Sequence, residues 1–275
     1  MSRVYVIAEL GINANGSLDL AKRLMDQAKA AGCDAVKFQK RTIEAVYTAD
    51  ELARPRESPF GVTNGDLKRG LEFSKTQYDE IFSYARKAGL DCSSSCWDSE
   101  SVGFIASYMP PWLKIPSALI TNKPLLAAYR ATGLPVYLST GMSTWEEIDE
   151  AIEWIGDGQI KALLHCHSAY PSPLDELNLA VMDSLKERYG LPVGYSSHTV
   201  SPWPAVMAAV RGATVVEAHL TVDRAMFGSD QAASLEPLAF AKMVEEIRTW
   251  ERVRGDGIKR VMPSEEAVKT KLRKT

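Results

Sequence analysis

Two histidines that close consecutive apolar runs of the chain are the first candidates for chemistry. One run reads GYSSH and ends at His198, and the next reads VVEAH and ends at His219. Neutral imidazoles at the ends of neighbouring parallel strands would be a suitable pair of ligands for a divalent transition metal. Two core histidines with ordinary hydrogen bonds would give the same pattern, so the residues alone leave both interpretations open.

Two lysines lie inside apolar runs, Lys37 in AVKFQ and Lys114 in WLKIPS. Burying an unpaired ammonium group is costly, so each lysine must have a partner. Hydroxyl side chains follow the apolar runs closely, and lysines among serines favour a bound phosphate. The alternative is that each lysine pairs with a buried glutamate such as Glu9 or Glu217. The hydroxyl candidates are Ser94, Ser95, Ser117, Ser139, Thr140, Ser168, Ser196 and Ser197.

The elements that must position these residues alternate along the whole chain. Short apolar or β-branched runs alternate with amphipathic segments of helical period, as in a parallel sheet. The predicted strands are 4–10, 35–39, 91–96, 112–117, 135–140, 160–166, 192–197 and 215–220. The predicted helices are 18–31, 75–88, 99–108, 123–131, 144–155, 175–189, 202–211 and 237–253. Eight such units predict a single-domain α/β fold, the (β/α)₈ or TIM barrel, whose sites lie at the carboxyl ends of the strands.

The predicted domain organisation is a barrel over residues 1–253 followed by a basic tail or terminal helix over 254–275. The connection 40–74, rich in Arg, Pro, Gly and Asn, is unusually long for a barrel. We expect it to be a long loop that forms a flap over the strand mouth, because long connections in compact domains are usually functional.

The composition restricts the class of protein. The 275 residues are 45% hydrophobic and 24% charged with a formal net charge of -3, which indicates a soluble globular protein and gives no basic surface for nucleic acid. No apolar run approaches the length of a membrane span, and no secretory leader precedes the first strand. The four cysteines lack metal-binding or disulfide spacing, so we expect reduced, buried thiols and a cytoplasmic location.

Several longer motifs, in order, resemble those of the N-acetylneuraminate (sialic acid) synthase family. They include AELGINANGS, DAVKFQ, LKIPS, LPVYLSTGMSTWEEI, LLHCHSAYPSP, LPVGYSSHT and VVEAHLTVDRAMFGSDQ, and the likeness covers nearly all of residues 4–240. The resemblance implies an enzyme that condenses phosphoenolpyruvate with an aldose and releases phosphate. It also implies a divalent metal, Mn²⁺ or else Mg²⁺ or Co²⁺, that acts as a Lewis acid on the aldehyde, and a homodimer.

The resemblance assigns roles by position in matching motifs. His198 and His219 correspond to the metal ligands. The phosphoenolpyruvate-binding positions correspond to Lys37, Ser95, Lys114, Ser117, Ser139, Ser168 and Ser196. The sugar-facing positions correspond to Glu9, Gln39, Tyr170 and Asp230. Lys37, Lys114 and Glu9 are the expected catalytic residues, with Glu9 or a metal-bound water handling protons.

The chain departs from the family's motifs mainly where the acceptor is expected. Ala14 replaces the histidine of NHNG, Ser197 the aspartate of SDHT, Gln231 the histidine of PDH, and Leu119 an acidic residue after the fourth strand. The antifreeze-like domain that follows the barrel in relatives is also absent from the 275 residues. We therefore expect phosphoenolpyruvate chemistry to be retained with a different acceptor aldehyde.

Two other functions remain as alternatives. A pyruvate aldolase would need a Schiff-base lysine. A catalytically idle barrel would act as a binding partner only.

Overall fold

Eight parallel strands close into a barrel in the computed structural model, which describes residues 3–273. The barrel strands are Tyr5–Glu9 (β1), Ala35–Lys40 (β2), Asp91–Cys96 (β5), Leu113–Ile115 (β6), Val136–Ser139 (β7), Ile160–Cys166 (β8), Val193–Ser197 (β9) and Val215–His219 (β10). They follow one another around the barrel in the order β1-β10-β9-β8-β7-β6-β5-β2. The predicted (β/α)₈ class is confirmed, with each strand inside or within one residue of its predicted run.

A helix follows each barrel strand and covers its outer face. These helices are Leu18–Ala31 (α1), Lys75–Ala88 (α5), Ser99–Ala106 (α6), Lys123–Ala131 (α7), Trp145–Ile155 (α8), Val181–Tyr189 (α9), Trp203–Val210 (α10) and Pro237–Val253 (α11). The predicted helix 175–189 is wrong in its first turns. A 3-10 turn at Leu174–Glu176 precedes Asn178, whose φ of 43° is left-handed, so regular helix begins only at Val181.

Local sequence explains where several helices begin and end. Thr144 caps α8 by accepting from the backbone of Glu147, whose side chain caps Thr144 in return. Gly32 and Gly89 end α1 and α5 in the left-handed conformation that glycine adopts at low cost. The two glycine caps turn the chain toward the next strand, β2 after Gly32 and β5 after Gly89.

The barrel interior has an apolar layer and, at the carboxyl ends of the strands, a polar one. The apolar layer consists of Ile7, Ala35, Trp112, Tyr137, Ala162, Leu164 and Val215. Strand register then brings polar residues to one level, because Glu9 is paired with both His219 and Lys37, and Ser95 with Lys114. The larger apolar core fills the space between strands and helices.

The connection 40–74, expected to be a loop, contains regular structure. It holds the helices Ile43–Val46 (α2), Ala49–Ala53 (α3) and Asn64–Leu71 (α4), and a hairpin of Pro55–Ser58 (β3) with Gly61–Thr63 (β4). Its ends are joined by an ion pair of 3.1 Å between Lys40 Nζ and Glu72 Oε2. The capping boxes of α3 and α4 stabilise this segment locally.

The chain after α11 forms a last helix, Pro263–Leu272 (α12), whose side chains are all exposed. In the part of the chain that the structure describes, no helix combines the length and apolar character needed to cross a membrane.

Candidate active site

A pocket opens at the carboxyl end of the barrel, where the predicted site residues meet. Its lining includes every residue to which the resemblance assigned a role except Asp230, whereas the hydroxyl candidates Ser94, Thr140 and Ser197 do not line it. Asp230 lies just behind it, with Oδ2 3.8 Å from Nδ1 of His219. Further residues that line the pocket are Trp97, Pro116, Ala118, Met142, Cys166 and Glu217.

Four buried charged side chains, Glu9, Lys37, Lys114 and Glu217, form the charged floor of this pocket. Lys37 contacts the carboxylate of Glu9 and donates to Ser95 Oγ at 2.7 Å. Glu217 Oε1 lies 3.7 Å from Lys114 Nζ and 3.9 Å from Lys37 Nζ, and it accepts from Ser196 Oγ at 3.0 Å. The lysines thus have glutamate partners, as the alternative interpretation expected, and they also face the pocket among the serines.

The two carboxylates of the charged floor have opposite pKa shifts. Burial raises the pKa of Glu9 to about 7, with Lys37 acting against the shift. Burial also acts on Glu217, but Lys114 and Lys37 together overcome it and lower the pKa of Glu217 to about 2. Near neutral pH, Glu217 is therefore the permanent counterion of the lysines, and Glu9 is the carboxyl group that can hold or release a proton.

The predicted histidine pair lies beside the charged floor, with ring centroids of His198 and His219 5.3 Å apart. His198 donates from Nδ1 to the carbonyl of His167 at 2.6 Å, which leaves Nε2 as the acceptor. Tyr170 donates its hydroxyl to that Nε2 at 2.8 Å. Nδ1 of His219 is buried and has no hydrogen-bond partner among residues 3–273.

The donor chemistry of this pair fits a divalent cation. Burial, followed by the neighbouring His219, lowers the pKa of His198 to about 3, and burial also lowers the pKa of His219, so both rings are neutral bases. A ring whose second nitrogen donates to a backbone carbonyl is the usual arrangement of a metal-binding histidine. Within residues 3–273 no group of three or more His, Cys, Asp or Glu side chains is placed to hold an ion. Oxygen atoms of water or substrate would have to supply the remaining ligands.

The serine hydroxyls of the pocket differ in their hydrogen-bond partners. Ser117 Oγ accepts from the backbone of Gly141 at 2.9 Å and contacts Cys166 Sγ at 3.0 Å. Ser139 Oγ is buried without a partner in the described chain, so it is available to a ligand. Ser168 Oγ lies 4.0 Å from the same Cys166 sulfur. These groups extend the polar surface next to Lys114.

The side of the pocket near β2 is held by an arginine that the sequence analysis missed. Arg41 donates to Gln39 Oε1 at 2.6 Å, and its guanidinium lies 4.1 Å from the ring centroid of Trp97. Because the oxygen of Gln39 is occupied, its amide nitrogen is the group left to face a ligand. Leu119, which replaces the family's acidic residue, packs against the apolar core and does not line the pocket.

Two pocket residues could have been assigned to the site from the sequence, although Glu217 was named there only as a possible partner of the lysines. Glu217 precedes His219 by two positions in a strand, so both side chains point to the same side of the sheet. Cys166 is the last residue of β8, where a barrel places its site residues. Arg41 directly follows β2, but its contacts with Gln39 and Trp97 depend on the fold of residues 40–74.

Comparisons with known proteins agree with this geometry. The model of the NeuB family matches residues 24–259. An uncharacterised protein of Methanocaldococcus jannaschii, MJ1065, is 38% identical over 98% of this chain and 78% of its own length. The human N-acetylneuraminate-9-phosphate synthase is 36% identical over 98% of this chain and 77% of its own. The crystal structure of a sialic acid synthetase from Leptospira borgpetersenii, in complex with citrate, superimposes with a TM-score of 0.85 at 30% identity and covers 100% of this chain and 94% of that one.

Proposed function

Because the chain belongs to the NeuB family and is a carbon–carbon bond-forming sugar-acid synthase, we propose that it condenses phosphoenolpyruvate with an aldose or related aldehyde. The products would be a 3-deoxy-2-keto sugar acid and phosphate. In this reaction C3 of phosphoenolpyruvate forms a bond to the aldehyde carbon, water adds at C2, and phosphate leaves from C2.

The observation that carries the proposal is the charged floor beside two neutral histidines. Two buried ammonium groups at the pocket surface suit a small ligand with several negative charges. The human relative is named as an N-acetylneuraminate-9-phosphate synthase, and the Leptospira relative as a sialic acid synthetase. The Leptospira structure contains citrate, which is a polyanion. Both likenesses support a phosphoenolpyruvate site in this pocket.

The residues of the pocket have distinct tasks in this proposal. Lys37 and Lys114 bind the phosphate and carboxylate of phosphoenolpyruvate, and Ser139 donates its free hydroxyl. Glu9, whose pKa of about 7 allows both protonation states, takes the proton from the water that adds at C2. Gln39 and Tyr170 contact the acceptor, and the position of Gln39, fixed by Arg41, reduces the entropy lost on forming the complex.

His198 and His219 would hold the divalent cation, Mn²⁺ in the first instance. Such an ion supplies Lewis acidity toward the aldehyde oxygen when it is bound. Tyr170, whose hydroxyl now bonds to His198, would be free to turn to the acceptor. Asp230, behind His219, would orient that ring.

The test is phosphate release from phosphoenolpyruvate by the purified protein with Mn²⁺ and a panel of amino sugars, pentoses and hexoses. We expect release only when an aldose is present. Lys114→Met should reduce it by on the order of 100-fold or more, because a preorganised charge at the reacting group is lost. Lys161→Met is the matched control, since Lys161 is also a barrel-strand lysine but lies exposed near the amino end of β8. Absence of release with every aldose would contradict the proposal and favour an idle binding barrel.

One observation keeps the Schiff-base aldolase as the second candidate. Burial lowers the pKa of Lys114, as a nucleophilic amine requires. Borohydride treatment in the presence of pyruvate would attach a stable adduct to Lys114 if this candidate were correct, and mass spectrometry would locate it. We expect no adduct, because Glu217 keeps an ion-pair contact with this lysine.

A further inference from the structure

Glu217 connects two lysines that come from different parts of the barrel. In the closed strand order β1-β10-β9-β8-β7-β6-β5-β2, the strand of Lys114 (β6) lies directly opposite the strand of Glu217 (β10). The contact of 3.7 Å between Lys114 Nζ and Glu217 Oε1 therefore crosses the barrel interior. The same oxygen lies 3.9 Å from Lys37 Nζ, so one carboxylate oxygen serves both ammonium groups.

The contact with Lys114 leaves that ammonium group able to bind a ligand. A separation of 3.7 Å is too long for a good hydrogen bond but still strongly attractive between buried charges. No hydrogen-bond acceptor is found for Lys114 Nζ within residues 3–273, although the side chain is only 3% exposed. Glu217 thus neutralises Lys114 without occupying its N–H donors.

The carboxylate itself is held in place. Ser196, on the neighbouring strand β9, donates to Glu217 Oε1 at 3.0 Å, and Ser196 and Glu217 are paired in the sheet. A hydroxyl that donates to the shared oxygen fixes the point toward which both lysines are drawn. Without the Glu217 carboxylate, the ammonium groups of Lys37 and Lys114 would repel each other and move apart.

We propose that Glu217 is a positioning residue that draws Lys37 and Lys114 together across the barrel and keeps their ammonium donors directed at a bound oxyanion. The inference rests on the oxyanion site of the proposed function, and it adds to that function a residue that touches neither reacting carbon. It concerns anion binding at equilibrium and can be tested without turnover.

The charged groups around Lys114 determine how anion binding should change with pH when Glu217 is replaced. Glu217, Lys37, Cys166 and Glu9 act on the charge of Lys114, and Lys114 in turn acts on His198 and His219. Burial lowers the pKa of Lys114, and Glu217 is the largest influence that opposes this effect. Replacing Glu217 by glutamine removes that opposing influence and should lower the pKa of Lys114 further, so the variant should lose anion binding at a lower pH than the wild type does.

The experiment is a calorimetric titration of sulfate, a tetrahedral dianion that does not itself titrate over the range used, at about pH 6 and about pH 9. At about pH 6, Glu217→Gln should bind sulfate at least as tightly as the wild type, because one negative charge beside the lysines is gone. At about pH 9 it should bind about tenfold more weakly, which corresponds to about 1.4 kcal/mol. Glu217→Asp, which keeps the charge on a shorter side chain, should lie between the two.

Glu72→Gln is the matched control, because Glu72 is also a largely buried glutamate with a lysine partner, Lys40 at 3.1 Å, outside the pocket. It should follow the wild type at both pH values. Weaker binding by Glu217→Gln at both pH values would indicate general damage to the pocket and overturn the proposal. Tighter binding at both would show that Glu217 only repels anions, and it would overturn the proposal as well.

The outcome is separable from that of the synthase assay. If the pH-dependent loss is seen but no aldose supports phosphate release, the positioning role stands and the proposed reaction fails. If the wild type turns over phosphoenolpyruvate but sulfate binding of Glu217→Gln follows the wild type, the reaction stands and the positioning role fails. If the wild type binds neither sulfate nor phosphoenolpyruvate, there is no oxyanion site and the positioning role is wrong.

Discussion

The hydroxyl of Tyr129 is predicted to stabilise both the barrel and the position of Lys114. Tyr129 lies on α7, is fully buried, and donates to the carbonyl of Lys114 at 2.7 Å while accepting from the backbone of Cys96 at 2.9 Å. β6 has only three residues and a single paired position with β5, so this side chain supplements a short stretch of sheet. Tyr129→Phe removes the hydroxyl and preserves the ring.

The expected loss of stability follows from the two backbone groups that lose this hydrogen-bond partner, the carbonyl of Lys114 and the N–H of Cys96. A buried backbone N–H or C=O without a partner costs about 1–3 kcal/mol, whereas the packing of the ring is unchanged in phenylalanine. We expect the free energy of unfolding to fall by about 2 kcal/mol. For a chain of this size, the melting temperature should decrease by about 4–8 °C. The affinity for sulfate should also fall, because the strand that carries Lys114 loses one of its fixed points.

The assay is thermal and urea unfolding of the wild type and variant, followed by sulfate titration of the folded proteins. Tyr84→Phe is the control, because it removes a hydrogen bond of 2.8 Å to Asp26 at the surface. It should change stability by no more than about 0.5 kcal/mol. Equal stability of Tyr129→Phe and Tyr84→Phe would refute the reasoning that the buried backbone groups depend on this hydroxyl.

Three further predictions concern the pocket. His219→Ala should lose bound Mn²⁺ in metal analysis. His165→Ala should retain it, because the ring of His165 hydrogen-bonds to a backbone carbonyl. Equal metal content in the two variants would contradict the proposed metal site. Because burial raises the pKa of Glu9 from 4.5 to about 7, the folded state binds the extra proton and wild-type stability should fall as pH rises through this range. Urea unfolding of Glu9→Gln should show no such decline. An equal decline in the wild type and Glu9→Gln would contradict the raised pKa of Glu9. Gly11→Ala would place Cβ 2.4 Å from Glu9 Oε1 and should abolish phosphate release. Gly133→Ala is the control, because Gly133 also has a positive φ but no described atom lies within 4 Å of the new Cβ. This control should only lower stability.

The fold and most of the pocket could be predicted because they follow from regular spacing. Most barrel strands are short apolar runs with polar residues in or just after their last positions, and the end of a strand in a barrel is also the site of chemistry. Lys37 and Lys114 could be placed by this rule alone. Their pairing with glutamates could not be decided, since it depends on which side chains meet across the barrel.

The features that escaped prediction depend on local or long-range geometry without a sequence period. The segment 40–74 forms α2, α3, α4 and a hairpin through capping and a closing ion pair, signals that are short and irregular. The start of α9 is delayed by one left-handed residue, Asn178. The contact of Arg41 with Gln39 and Trp97 exists only because the chain leaves β2 in the direction set by that segment.

The opposite pKa shifts of Glu9 and Glu217 give the charged floor a way to accept an anion. Glu217 lies between two lysines and accepts from Ser196, so its charge is stabilised more than burial opposes it. Glu9 contacts one lysine and is repelled by Glu217, so burial prevails. With all four groups charged, the charged floor is neutral and has little net attraction for a polyanion. Because Glu9 is the group whose pKa is about 7, both of its forms occur near neutral pH: the protonated form leaves the charged floor positive for an anion, and the ionised form is the one that can take a proton from water.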